Sequence, residues 1–162
     1  MVTFKSFADD AQFYSCINNL KNVETMQNCL DSVLQWAEVW QLILSVAKCK
    51  ILVLGNVKFS NVYKLGGTPL LNVNHNTDLG IVMDNQLTFK LHINGLIVRA
   101  KQRAALILRC FYTRDSQILI KAFTVYVRPL LEYCCSMWSP HLMCLITCIE
   151  GVHDVQRTAP KT

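Results

Sequence analysis

Charge is scarce in this chain and long uninterrupted apolar runs are missing from it, and both shortages narrow what it can be. Of 162 residues, 17% are charged and 52% apolar, with a mean hydropathy of +0.26, against a usual charged share of about 25%. The length suits one domain or two small ones able to bury a core. So little charge leaves apolar surface exposed unless something covers it, which suits a piece of a larger body or a partner-bound one. The most apolar stretch, Leu130 to Ile149, is broken by Glu132, Pro140 and His141, so it fails the uncharged run of about 20 residues that a bilayer requires. Near Met1 stand Lys5, Asp9 and Asp10 with no apolar segment between. No signal peptide or membrane partner is therefore expected, and the cytoplasm or nucleus is the expected compartment. There is no internal repeat, low-complexity tract or evident flexible linker, so the two halves of the chain are expected to pack together.

Paired Cys-x2-Cys knuckles are also missing. The eight cysteines, without a secretory signal, read as reduced and mostly buried thiols rather than a disulfide framework. Cys134, Cys135, His141, Cys144, Cys148 and His153 have the chemistry to supply four zinc ligands. No knuckle flanks a loop of finger length, however, so helical core cysteines are the favoured reading over zinc. Arginine is absent from residues 1–86, which hold six lysines against seven acids. Residues 87–162 hold ten basic residues against four acids, so this half supplies the overall net charge of +5. A basic excess on helices fits contacts to a phosphate backbone, or simply a solvated helical face.

What is present reads as α+β. Two β-prone runs, Val2 to Phe7 and Ala11 to Cys16, flank Ala8-Asp9-Asp10 as a hairpin. Val23, Met26, Leu30, Val33, Leu34, Ala37 and Trp40 recur at helical spacing. Lys50 to Leu54 reads as a buried strand, Val62 to Leu65 and Leu70 to Val73 as a hairpin across Gly66-Gly67, and Asp78 to Asp84 as one more short strand. After residue 86 the texture turns helical. Ile93, Leu96, Ile97, Ala100, Ala104, Ile107, Leu108 and Phe111 mark a long helix, with Arg99, Lys101, Arg103 and Arg109 mainly off that stripe. Ile118 to Val127 reads as a second helix that Pro129 stops or kinks, and His141 to about Val155 as a third.

The chemistry concentrates at Phe7-Ala8-Asp9-Asp10. Adjacent carboxylates in a tight turn gather negative charge that a divalent cation can neutralise, although an Asp-Asp pair alone is ordinarily a solvated turn. The order of the pieces sharpens this. Phe7-Ala8-Asp9-Asp10-Ala11, a helix ending Leu34-Gln35-Trp36 and Trp40, and Lys48-Cys49-Lys50 leading into Ile51-Leu52-Val53-Leu54-Gly55 come first. Tyr63-Lys64-Leu65, Asp78-Leu79-Gly80-Ile81, Leu87-Thr88-Phe89 with His92, and Arg114-Asp115 follow. Val127-Arg128-Pro129-Leu130-Leu131-Glu132-Tyr133, Trp138-Ser139-Pro140, Ile149-Glu150 and Val155-Gln156-Arg157 close the series. Together they resemble the late palm motifs and thumb of reverse transcriptases from non-LTR (LINE-type) retrotransposons.

The resemblance implies a partial polymerase palm, of β-hairpins plus a helix, over residues 1–86, and a small helical thumb-like bundle over 87–162. It implies two-metal nucleotidyl transfer with Mg²⁺ or Mn²⁺, with Asp9 the firmer metal ligand and Asp10 a supporting one. Lys48 matches a basic position near the incoming nucleotide, placed to protonate the pyrophosphate leaving group; as a bare residue it equally reads as an exposed lysine before a strand. Tyr63 to Leu71 matches the hairpin that supports the primer end. Arg99, Lys101, Arg103 and Arg109 would track an RNA template and DNA primer. Tyr133 and Trp138 are candidates for base stacking, with core packing the favoured reading. The family's earlier motifs, including the other metal-binding aspartate and the fingers, have no counterpart here, nor has its endonuclease. Gly95 inside a helix, and the spacing around Val152-His153-Asp154-Val155, depart from the pattern. The implied object is a truncated or degraded copy that does not polymerise alone, the alternatives being a non-catalytic nucleic-acid-binding helical module or a zinc-stabilised interaction module.

Overall fold

The chain divides into two compact units, Met1–Asn76 and Thr77–Thr162, of which the computed structural model describes residues 1–55, 61–112 and 115–139. In the first unit, β1 (Thr3–Phe7) and β2 (Asp10–Tyr14) pair antiparallel from Thr3↔Tyr14 to Phe7↔Asp10. That register leaves Ala8-Asp9 as a two-residue turn, and it places Phe4 opposite Phe13 with ring centroids 4.9 Å apart. Helix α1 (Leu20–Val39) begins where the Asn19 side chain accepts the Asn22 N–H at 2.9 Å, satisfying one of the donors a helix start leaves open. Its inner face buries Val23 and Ala37. Trp40, on the expected apolar stripe, is instead more than half exposed, and its ring centroid lies 6.5 Å from that of Trp36, which is also more than half exposed.

The short strands after α1 are arranged differently from the expected pattern. β3 (Lys50–Leu52), shorter than the 50–54 run, pairs in parallel with β6 (Leu71–Val73). The Gly66-Gly67 turn does form, with φ of 57° and 78°, values that a Cβ would make costly. It joins β4 (Lys64–Leu65) to β5 (Thr68–Pro69), not to Leu70–Val73. Pro69 has no N–H to extend the ladder, so after Leu70 N–H bonds Tyr63 O at 2.8 Å the chain leaves to pair with β3.

Gln27 ties the β4–β5 hairpin to α1. Its side-chain amide donates to Lys64 O at 2.9 Å and accepts the Lys64 N–H at 3.0 Å. Gln27→Ala leaves both backbone groups of Lys64 to water and costs about 1–2 kcal/mol, at roughly 0.5–1.5 kcal/mol per hydrogen bond. Urea unfolding of the variant checks this, and an unchanged midpoint would remove the clamp from the account.

The second unit opens on a hairpin where one strand was expected. β7 (His75–Asp78), which straddles the unit boundary, turns through Leu79-Gly80 into β8 (Ile81–Asp84). Leu79 and Gly80 have φ of 44° and 83°, the two left-handed residues that a tight two-residue hairpin requires. Helix α2 (Lys90–Cys110) carries the expected stripe: Ile93, Leu96, Ile97, Ala100, Ala104 and Ile107 are buried, and His92 with them, while Leu108 is exposed. Helix α3 (Ser116–Tyr126) ends before Pro129, which falls in the first turn of α4 (Arg128–Glu132), where its missing N–H is harmless. Four residues, Cys135–Trp138, form α5. Ile81, the α2 stripe, Leu119, Ala122, Phe123, Val127, Leu131 and Trp138 make one apolar cluster. The expected third helix, His141 to Val155, lies outside the described residues.

Asp84 builds the entrance to α2. Its carboxylate accepts from Gln86 N–H, Thr88 N–H, Thr88 Oγ1–H and Phe89 N–H at 2.8–3.1 Å. Phe89 itself, with φ 53°, supplies no side-chain cap. The upstream carboxylate does that work, and its negative charge suits the positive end of the helix. Among the described residues no helix is long and apolar enough to cross a membrane.

Candidate functional site

Two groups of sequence-selected residues come from different parts of the fold. Asp9 is the second turn residue of the β1–β2 hairpin and Asp10 the first residue of β2; both are exposed. The hairpin thus presents two adjacent carboxylates at its tip, with no hydrogen-bonding or ionic partner among the described residues. Ala8 beside them has φ 51°, a left-handed conformation costing an alanine about 1–2 kcal/mol. Lys48 ends a one-turn 3₁₀ segment, Val46–Lys48, and is exposed; no hydrogen bond or ion pair joins it to the aspartates.

Exposed carboxylates are hard oxygen donors of the kind Mg²⁺ accepts, and that ion is normally held by one or two of them together with water and substrate phosphates. Asp9 and Asp10 fit that partial role. A complete protein cage is not built: among the described residues no group of three or more His, Cys, Asp or Glu side chains converges on a metal position. Of the cysteine and histidine cluster, Cys134 and Cys135 are exposed free thiols, and His141, Cys144, Cys148 and His153 lie outside the described residues.

Arg99, Lys101, Arg103 and Arg109 are all exposed on α2, and none makes an ion pair among the described residues. They do not form one stripe. At about 100° per residue, Arg99 and Arg103 flank one edge of the buried face, Lys101 flanks the other, and Arg109 lies opposite it. Arg99 Nε donates to Gly95 O at 3.3 Å and Arg103 Nη1 to Tyr126 O at 3.4 Å. Of the two candidate stacking aromatics, Trp138 is 3% exposed and its Nε1–H is spent on Tyr133 O at 2.8 Å. Tyr133 is not core: it is half exposed, and its hydroxyl donates to Leu79 O at 3.0 Å, pinning the β7–β8 turn.

His92, in the sequence only a companion of the Leu87-Thr88-Phe89 motif, has a fuller part in the structure. It is 2% exposed, its Nδ1 accepts the Val82 N–H at 3.3 Å, and its ring meets Trp138 edge to face at 5.5 Å. An accepting Nδ1 puts the proton of the neutral ring on Nε2, which is buried and has no hydrogen-bond partner among the described residues. Burial, and next the nearby Arg99 guanidinium, hold its pKa below the usual histidine value.

Comparison with known proteins gives a direction. The chain is 28% identical over 104 residues to the RNA-directed DNA polymerase from mobile element jockey of Drosophila funebris, and 31% identical over the same length to its Drosophila melanogaster counterpart. Each match covers 59% of this chain but 11% of the polymerase. An uncharacterized Caenorhabditis elegans protein is 36% identical over 73 residues, covering 45% of this chain and 37% of its own length. No family model matches, and no solved structure does. The chain therefore contains a region similar to retrotransposon RNA-directed DNA polymerases and spans about a tenth of their length.

Proposed function

We propose that this chain is a fragment of a LINE-type retrotransposon reverse transcriptase: residues 1–86 a partial palm, and residues 87–162 a thumb-like region that contacts the template-primer. The similarity to two jockey polymerases over 59% of the chain carries this reading. The hairpin tip supports it, because Asp9 and Asp10 stand side by side, exposed and without an ionic partner among the described residues, open to a shared Mg²⁺ or Mn²⁺. When bound, the metal would supply charge neutralisation for nucleotidyl transfer. The chain's own contribution is to hold the two carboxylates on a fixed turn, with Asp9 the principal ligand, and to present Lys48 to the leaving group. Two carboxylates fill only part of such a site, so the isolated chain is expected to give no primer extension. The test is a chimera in which residues 1–162 replace the late palm and thumb of a jockey polymerase. It should extend a DNA primer on an RNA template and lose more than about tenfold on Asp9→Asn, the least expected from removing a metal ligand. Extension indifferent to Asp9 would overturn the site assignment.

A second reading is favoured by the exposed cations Arg99, Lys101, Arg103 and Arg109 of α2, none of which has an ion-pair partner among the described residues: a non-catalytic module binding nucleic acid through its phosphates. Its affinity for single strands should fall with salt, with a log–log slope of about −0.7 per phosphate neutralised. A flat salt dependence, measured by fluorescence anisotropy, would dismiss it.

A further inference from the structure

Gly95 is the one residue of α2 that works against its helix. A glycine in a helix interior costs about 1 kcal/mol relative to alanine, and here no steric reason demands it, because a Cβ built at position 95 meets nothing within 4 Å. The space it leaves is the floor of an open groove of about 660 Å³, walled by Val82 from β8 and by Leu91 and Val98 from α2. Small-ligand sites have volumes of about 300–1,000 Å³. Asn94 and Arg99 supply polar groups, and among the described residues no acidic residue lines it. With position 95 bare, the Arg99 side chain folds back along the helix and spends Nε on Gly95 O at 3.3 Å. Its guanidinium has no carboxylate partner among the described residues, and it lies close enough to His92 to disfavour a charge there. The groove therefore pairs an apolar, side-chain-free floor with one uncompensated cation at its edge.

We propose that this groove seats a single nucleic-acid strand, a phosphate against Arg99 and the adjoining sugar or base over Gly95 between Leu91 and Val98. The proposal rests on the nucleic-acid reading above and adds where on α2 the strand lies. Phosphodiester is the anion the composition favours, since residues 87–162 hold ten basic residues against four acids. A base or sugar face is the apolar group that accompanies it.

The test uses the full 162-residue chain and fluorescein-labelled ten-nucleotide oligo-dT and oligo-U at about 50 mM salt, read by anisotropy. Gly95→Ala should raise the melting temperature by about 4–8 °C, because the helix gains and nothing is displaced. Gly95→Leu should melt no lower than wild type yet bind at least tenfold more weakly, its side chain occupying the groove. Arg99→Gln should bind more weakly with a salt slope shallower by about 0.7, one phosphate fewer. If wild type binds and Gly95→Leu binds equally well, the groove is not the seat, while the basic-helix reading survives; the groove would then suit a protein segment. If Gly95→Leu melts below wild type, the space is not open and the proposal fails. If wild type binds neither oligonucleotide, both readings fall.

Discussion

Trp138→Ala lowers the unfolding free energy of the second unit by about 3–5 kcal/mol, the range for emptying a buried aromatic site. The indole is 3% exposed, joins the cluster formed by α2, α3 and α4, and packs edge to face on His92. Its Nε1–H is also the partner of Tyr133 O. Truncation therefore opens a cavity and orphans a carbonyl together. Trp138→Phe keeps most of the volume and loses only the donor, so it should cost nearer 1–3 kcal/mol. Trp36→Ala is the control: that side chain is 55% exposed, and its loss should stay within about 1 kcal/mol. Urea unfolding followed by circular dichroism separates the three. If Trp138→Ala costs no more than Trp36→Ala, the indole is not core. If it weakens oligonucleotide binding without destabilising the fold, Trp138 stacks on bases after all.

Elements carried by dense local repetition were legible before the structure. The α2 stripe placed eight apolar residues at helical spacing, and the burial of six of them on one face follows from it, while Leu108 is exposed. The first hairpin was legible for a similar reason, two β-prone runs around a short polar turn, and it put Asp9 and Asp10 at the tip as read. The parallel pairing of β3 with β6 was not. It joins three-residue strands about twenty positions apart, and nothing within so short a strand specifies its partner. The β7–β8 turn hid because its first residue is leucine, a side chain that normally avoids positive φ; the glycine after it was the only signal. Gln27 was detectable in principle, since it stands on the apolar face of α1 between Val23 and Leu30, where a polar side chain needs a partner. Asp84 was hidden because four of its bonds come from a loop whose shape it creates.

Asp84 and His92, at the foot of α2, should give the second unit a two-stage acid response. His92 is buried, and its pKa is held below the ordinary 6.5 first by burial and then by Arg99. Below 6.5 the unfolded chain takes up a proton that the folded imidazole resists, so this stability is complete above 6.5 and is lost as pH falls through the lowered folded value. Asp84 behaves in the same sense at lower pH. Burial pushes its carboxyl up, but the donors on Thr88, Gln86 and Phe89 outweigh that and leave it below the ordinary 3.8. Its contribution is present above 3.8 and disappears as pH falls through the folded value, when protonation weakens the loop's acceptors. Asp84→Asn replaces one acceptor oxygen with an amide that faces N–H donors, and should cost about 1.5–3 kcal/mol at neutral pH, the scale of hydrogen bonds to a charged group. It should also abolish the lower stage. His92→Gln keeps an acceptor for Val82 N–H without a titrating group, and should abolish the upper stage while the lower one remains. Urea midpoints between pH 7 and pH 3 report both. A wild-type profile that is flat from pH 7 to pH 5 would show that His92 does not resist its proton, and the neutral, Nε2-protonated imidazole assigned here would have to be abandoned.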